Sequence, residues 1–125
     1  IELVLLGGTV RQGEPDLTGW LTEENLKRFR VDLALLGADG VNPDGVFTTD
    51  MNIARVSQSI IAGAQETTLI IDHNKFNKAS FVKFASWDQI NRVITDSQIP
   101  ESGKKWLNNK VKKVHYAKVN EPKYG

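Results

Sequence analysis

Short apolar runs, broken by glycine, proline and aspartate, divide the chain into segments of strand and helix length. Residues 1–6 (IELVLL) are apolar enough to predict a buried strand, ending at Gly7-Gly8-Thr9. Residues 13–16 form a loop. A helix follows, with Thr18 or Thr22 as its cap, Glu23 and Glu24 in its first turn, and Leu17, Trp20, Leu21, Leu26 and Phe29 on its apolar stripe. The run 31–36 (VDLALL) predicts a strand buried on both faces. Asp50 or Thr49 caps a second helix that runs to about residue 64, with Ile53, Ala54, Val56, Ile60, Ile61 and Ala64 facing the core. Residues 67–71 (TTLII) make the next strand, and residues 79–85 alternate as a short one. Ser86-Trp87-Asp88 makes a capped turn, and residues 92–95 are a strand closed by Asp96. A helix from Pro100 or Glu101 to about residue 109 packs through Trp106 and Leu107. Residues 111–117 form the last strand, and 121–125 fray.

Strands and helices alternate, with no Asn-Gly hairpin signal between strands. That order predicts one α/β domain over residues 1–125, Rossmann-like, with a mainly parallel sheet and flanking helices. The centre of the pattern is residues 33–50 (LALLGADGVNPDGVFTTD), an apolar run that stops at a glycine and opens into a small-residue loop. In open parallel sheets, ligands bind in the crevice beyond such strand ends. Gly37, Ala38, Asp39 and Gly40 would line it, with glycines for close backbone approach and Asp39 to accept hydroxyls. Three other strand ends carry similar groups: Gly7-Gly8-Thr9 with Arg11 able to fork onto a phosphate, Asp72 with Lys75 as a cation, and Thr95-Asp96. A parallel sheet would bring all of them to one edge. Together they supply anion donors and a hydroxyl acceptor, as a phosphorylated sugar requires.

Composition narrows the picture. The chain has 125 residues, 40% hydrophobic and 25% charged, with a net charge of +1, which gives no polyanion signal for the whole. Seven lysines between positions 104 and 123 make the end of the chain basic; with no recognition-helix pattern beside them, they read as a solvated face. The absence of cysteine excludes disulfides and thiolate metal sites and fits a reducing, cytoplasmic setting. No metal ligand set and no cofactor is expected, and no apolar run reaches membrane-spanning length. A first residue already inside an apolar run reads as part of a longer protein.

The ordered motifs GGTVR, LLGADGV with DGVFTTD, IIDHNKF and DQINRVITD resemble the carboxy-terminal sensor domain of DeoR-type bacterial transcriptional repressors over about residues 3–116. The resemblance implies a fold like that of ribose-5-phosphate isomerase and the coenzyme A transferases. It implies sensing of a phosphorylated sugar or related metabolite, homo-oligomerisation, and DNA contact only through an amino-terminal winged helix-turn-helix. That helix-turn-helix, a first sensor strand and its Thr-Asn loop would precede Ile1. By position, Gly7, Gly8, Arg11, Gly37, Asp39, Gly40, Asp72 and Lys75 match the family's pocket motifs. His73 and Asn74 stand where the family commonly has small hydroxyl residues, and Arg55 where it often has an acid, adding an imidazole and a cation near the crevice.

Binding without turnover is the expected function. The isomerases that the chain resembles carry an aspartate where Leu36 stands and an acid at Gly40, and only Asp39 remains here. Sugar-phosphate isomerisation, with Asp50 or Asp72 as base, is the alternative from another class. An inert oligomerisation domain, in which the loops are only turns, is the third.

Overall fold

A computed structural model describes residues 1–119. The elements follow in order: β1 (Thr9–Val10), β2 (Leu17–Thr18), α1 (Trp20–Leu26), β3 (Val31–Leu36), β4 (Gly40–Asn42), β5 (Gly45–Thr48), α2 (Met51–Gly63), β6 (Ala64–Ile70), β7 (Val82–Ala85), β8 (Arg92–Asp96), α3 (Glu101–Lys110) and β9 (Lys113–Ala117). Single 3₁₀ turns cover His73–Lys75 and Trp87–Gln89.

The principal sheet is parallel, in the order β3-β6-β8-β9. Its register lines up Leu36, Leu69, Val93 and Val114 across the four strands. That face packs into the core, where Leu69, Val93 and Leu107 are fully buried. Each such side chain contributes about 1.5–3 kcal/mol by leaving water. The α/β architecture with a parallel sheet is therefore the one the pattern predicts.

The other face departs from expectation. Val31, Leu33, Leu35 and Ile70 alternate with the core positions and are exposed, so the run 31–36 is buried on one face and not on both. An apolar strand is buried on two faces only where a second layer covers it, and the described helices do not lie on this face of β3.

Residues 1–6 also depart from expectation: they form no strand, and Leu3, Val4 and Leu5 are exposed. Strand propensity is not enough without a ladder partner; the sheet ends at β3, and this segment pairs with no strand. It runs instead over an apolar cleft of about 430 Å³ that also includes Leu17, Leu26, Ile53 and Ile60.

A second sheet, β4-β5-β7, is antiparallel and contains a hairpin that no Asn-Gly signal announces. The turn Asn42-Pro43-Asp44-Gly45 makes one: the Asn42 side-chain oxygen accepts the Asp44 N–H at 2.8 Å and the Gly45 N–H at 3.3 Å. The short strand expected near residues 79–85 is β7, which lies on this sheet against β5.

Helix α1 begins at Gly19 without a side-chain cap, and Thr18 belongs to β2. Thr22 lies inside the helix, and its hydroxyl donates to the Gly7 carbonyl at 2.7 Å. Trp20, Leu21 and Phe29 are exposed, so this stripe is not core. Helix α2 is capped as expected by Asp50, which accepts the N–H groups of Asn52 and Ile53 at 2.7 and 3.0 Å. It ends at Gly63, however, and Ala64, expected on its buried face, opens β6 and is half-buried. The Ser86 turn carries a capping box closed by Gln89. Trp106 stacks obliquely on Phe76 and Trp87, with ring centroids 5.7 and 5.4 Å apart, and locks α3 onto the core. Residues 121–125, expected to fray, lie outside the described residues.

Candidate functional site

The carboxyl ends of β3, β6 and β8 form one rim. After β3 the chain enters Gly37-Ala38-Asp39, and the Asp39 N–H donates to the Phe47 carbonyl at 2.9 Å. The Asp39 carboxylate is used unevenly. Its Oδ2 accepts from the Thr48 hydroxyl at 3.0 Å, the Thr49 N–H at 2.9 Å and the Thr49 hydroxyl at 3.1 Å. Its Oδ1 has no hydrogen-bond partner among the described residues. Burial alone would raise this carboxyl's pKa; those three bonds and the charge of Lys75 outweigh it and hold the group below the ordinary carboxylate value. Asp39 is thus an oriented anion with one oxygen fixed to the start of α2.

Lys75 approaches from the end of β6. Asp72 begins its 3₁₀ turn, accepting the Asn74 N–H at 2.8 Å, so Asp72 shapes the turn that carries Lys75. The Lys75 ammonium makes no ion pair within 4 Å among the described residues, yet its charge is felt at Asp39. Gly40 is needed for close approach: a Cβ there would come within 2.6 Å of the Lys78 carbonyl oxygen. That contact, with the bridge from Val41 to Phe76, presses the loop after β3 against the segment after Lys75.

The third strand end adds a clamp. Asp96, at the end of β8, accepts the backbone N–H groups of His73 and Gln98, each at 2.8 Å, and its oxygens lie 3.0 and 3.1 Å from His73 Nδ1. Burial works to raise the Asp96 carboxyl, and these donors more than reverse it, leaving it lowered. A shallow concavity of about 370 Å³ starts at Asp72 and Asp96 and continues along Ile70, Ile94, Thr95 and Ala117.

The other candidates are engaged in packing, pairing and ion pairs within the fold. Gly7 and Gly8 pack on α1, where a Cβ on Gly8 would lie 1.8 Å from Thr22 Oγ1. Their glycine identity therefore serves helix packing. Thr9 pairs with Thr18 in the β1–β2 ribbon and is exposed. Arg11 is not a free fork: its Nε and Nη2 hold Asp16 at 3.2 and 2.8 Å, and Nη1 lies 3.7 Å from the capping Asp50. Arg55 is also spent, donating to Glu23 of α1 at 3.0–3.3 Å, so it adds no cation to the crevice. Thr48 and Thr49, which orient Asp39, are partners that the sequence reading missed; their signal is the hydroxyl pair immediately before the helix cap. Among the described residues no group of three metal-ligating side chains occurs.

Residues 1–97 match the family model described as the DeoR C-terminal sensor domain. The chain belongs to that family. Among curated proteins it is similar to the glycerol-3-phosphate regulon repressor of Escherichia coli, 30% identical over 80% of this chain and 40% of that protein. It is also similar to the HTH-type transcriptional regulator GlpR of Haloferax volcanii, 32% identical over 78% and 39%. A third relative is the HTH-type transcriptional repressor GlcR of Bacillus subtilis, 31% identical over 77% and 37%. The chain spans about two-fifths of the length of the curated relatives it matches. As a DeoR sensor domain it has a regulatory, effector-sensing role. No described helix is long and apolar enough to cross a membrane.

Proposed function

We propose that this sensor domain binds a phosphorylated sugar or a related phosphorylated metabolite at the rim formed by Gly37–Gly40 and Lys75. Bound effector would then control DNA binding by another part of the same protein. One observation carries the reading. Asp39 Oδ2 is fully committed to Thr48 and Thr49 while Oδ1 is left without a partner among the described residues, and Lys75, on the turn after β6 at the same rim, makes no ion pair within 4 Å among them. A carboxylate oxygen suits a sugar hydroxyl and an ammonium suits a phosphate, so the pair matches the two ends of one ligand. Gly37 leaves the backbone open there: the nearest atom to a Cβ built on it is the Ile70 carbonyl oxygen, 4.0 Å away.

Asp39 held ionised by three donors is an acceptor, and its fixed oxygen cannot swing toward a substrate carbon; this supports binding without isomerisation. Control of DNA requires the effector to favour one arrangement of a homo-oligomer over another, since a ligand with equal affinity for both shifts nothing.

Thermal denaturation with glycerol 3-phosphate and a panel of phosphorylated sugars tests the reading, followed by NMR of any stabilising compound. A ligand at tenfold its Kd should stabilise by about 1.4 kcal/mol and return unchanged. Conversion to a new sugar phosphate would establish the isomerase, and no stabilisation by any phosphorylated compound would leave an oligomerisation domain.

A further inference from the structure

The edge of the parallel sheet opposite the rim is strongly basic. A concavity of about 460 Å³ lies at the amino ends of β6, β8 and β9, lined by Arg92, Lys110, Lys112 and Lys113 together with Glu66 and Asp88. A second of about 280 Å³, formed by Arg92, Lys112, Lys113, Val114 and His115, continues it onto β9. Among the described residues, none of the four cations makes an ion pair within 4 Å, while Arg11, Lys27, Arg55 and Lys104 all do.

The distribution of charge along the chain is lopsided. Residues 102–119 hold six lysines and no acid, whereas residues 1–101 hold nine Lys and Arg against fourteen Asp and Glu. Three of these lysines, Lys110, Lys112 and Lys113, meet Arg92 at this edge, where the four cations face two acids, Glu66 and Asp88. That local excess of positive charge attracts a polyanion to the edge.

We propose that this edge is a contact surface for the sugar-phosphate backbone of duplex nucleic acid, separate from the effector rim. A small phosphate needs donors converging on one point; here three exposed lysines and a half-buried arginine are strung along an edge, so a polymer of repeating charge engages several at once. An acidic peptide would need an anchor for its side chains, but the apolar wall of the concavity is Trp87 and Ile90, both buried. Trp87 is buried and packs on Trp106 with ring centroids 5.4 Å apart, so it offers no aromatic face for stacking single-stranded bases. The surface therefore reads phosphates and not sequence.

Fluorescence anisotropy of the chain with a labelled duplex of arbitrary sequence, about 20 base pairs long, tests this. Three or four phosphate contacts predict that affinity falls roughly 40- to 150-fold between 50 and 200 mM salt. Lys112→Glu with Lys113→Glu should abolish binding, and Arg28→Glu, an exposed charge reversal elsewhere, should change it little. If the double reversal fails to fold, Lys112→Gln with Lys113→Gln should still weaken binding and flatten the salt slope. Absent binding at low salt, binding indifferent to these substitutions, or equal competition by poly-glutamate each overturns the proposal.

Discussion

Two glycine-rich loops look alike in the sequence and serve different ends. Gly7-Gly8-Thr9 and Gly37-Ala38-Asp39-Gly40 both follow an apolar run, and both suit a ligand crevice. In the first, the glycines take positive φ and lie against α1, whose Thr22 occupies the space a side chain would need. In the second, Gly37 stays open, Asp39 is oriented by the residues that start α2, and Lys75 comes within electrostatic reach. Glycine content shows where the backbone is permissive. Only the surrounding packing shows whether that permission is used for the fold or left for a ligand.

Substitution at Gly8 should have the largest effect. Gly8→Ala has to displace Thr22 and the Thr18 carbonyl at a φ of +124°, so a loss of roughly 2–4 kcal/mol is expected in denaturant unfolding. A loss below 1 kcal/mol would mean this loop is as open as the other. Next comes Asp39→Ala, which leaves the Thr49 N–H and the Thr48 hydroxyl without their acceptor. It should cost about 1–3 kcal/mol and also abolish effector stabilisation; intact ligand response would remove Asp39 from the site.

Acid should separate the loops in the same way. The Asp39 and Asp96 carboxyls are both lowered in the fold, so their stabilisation is complete above the ordinary carboxylate range and is lost as pH falls through their folded values. Stability should be flat above about pH 5 and fall below it, with a shallower fall in Asp39→Asn and Asp96→Asn. An unchanged acid slope in both variants would show that these clamps do not matter to the fold. The smallest stability effects belong to Gly37 and Lys75. Gly37→Ala and Lys75→Ala should each change stability by less than about 0.5 kcal/mol, since neither fills occupied space nor breaks an ion pair. Lys75→Ala should nevertheless weaken binding of a phosphorylated ligand at least tenfold, as titration calorimetry would show.

Local chemistry was legible from the sequence. Asp50 as a cap, the Ser86 turn, the strand ending at Asp96 and the helix carrying Leu107 all depend on residues a few positions apart. What was not legible depends on partners. Residues 1–6 have the composition of a strand and no neighbour to pair with, and Leu33 and Leu35 sit on a face that no described layer covers. The β4–β5 hairpin was hidden because Pro43-Asp44-Gly45 read as a loop between a strand and a helix, not between two strands. At the rim, the hydroxyls of Thr48 and Thr49 that orient Asp39 were not legible as its partners, because the chain returns to Asp39 only through the β4–β5 hairpin. The pairing of Arg11 was not legible because its partner, Asp16, lies across the β1–β2 turn.

The most direct test is amide NMR of the chain titrated with glycerol 3-phosphate and then with phosphorylated sugars. A saturable shift centred on Gly37, Asp39, Gly40 and Lys75, with Gly7 and Gly8 unmoved and the whole pattern absent in Lys75→Ala, is the predicted result. Shifts centred on Gly7 and Gly8, or no saturable shift with any phosphorylated ligand, would contradict it.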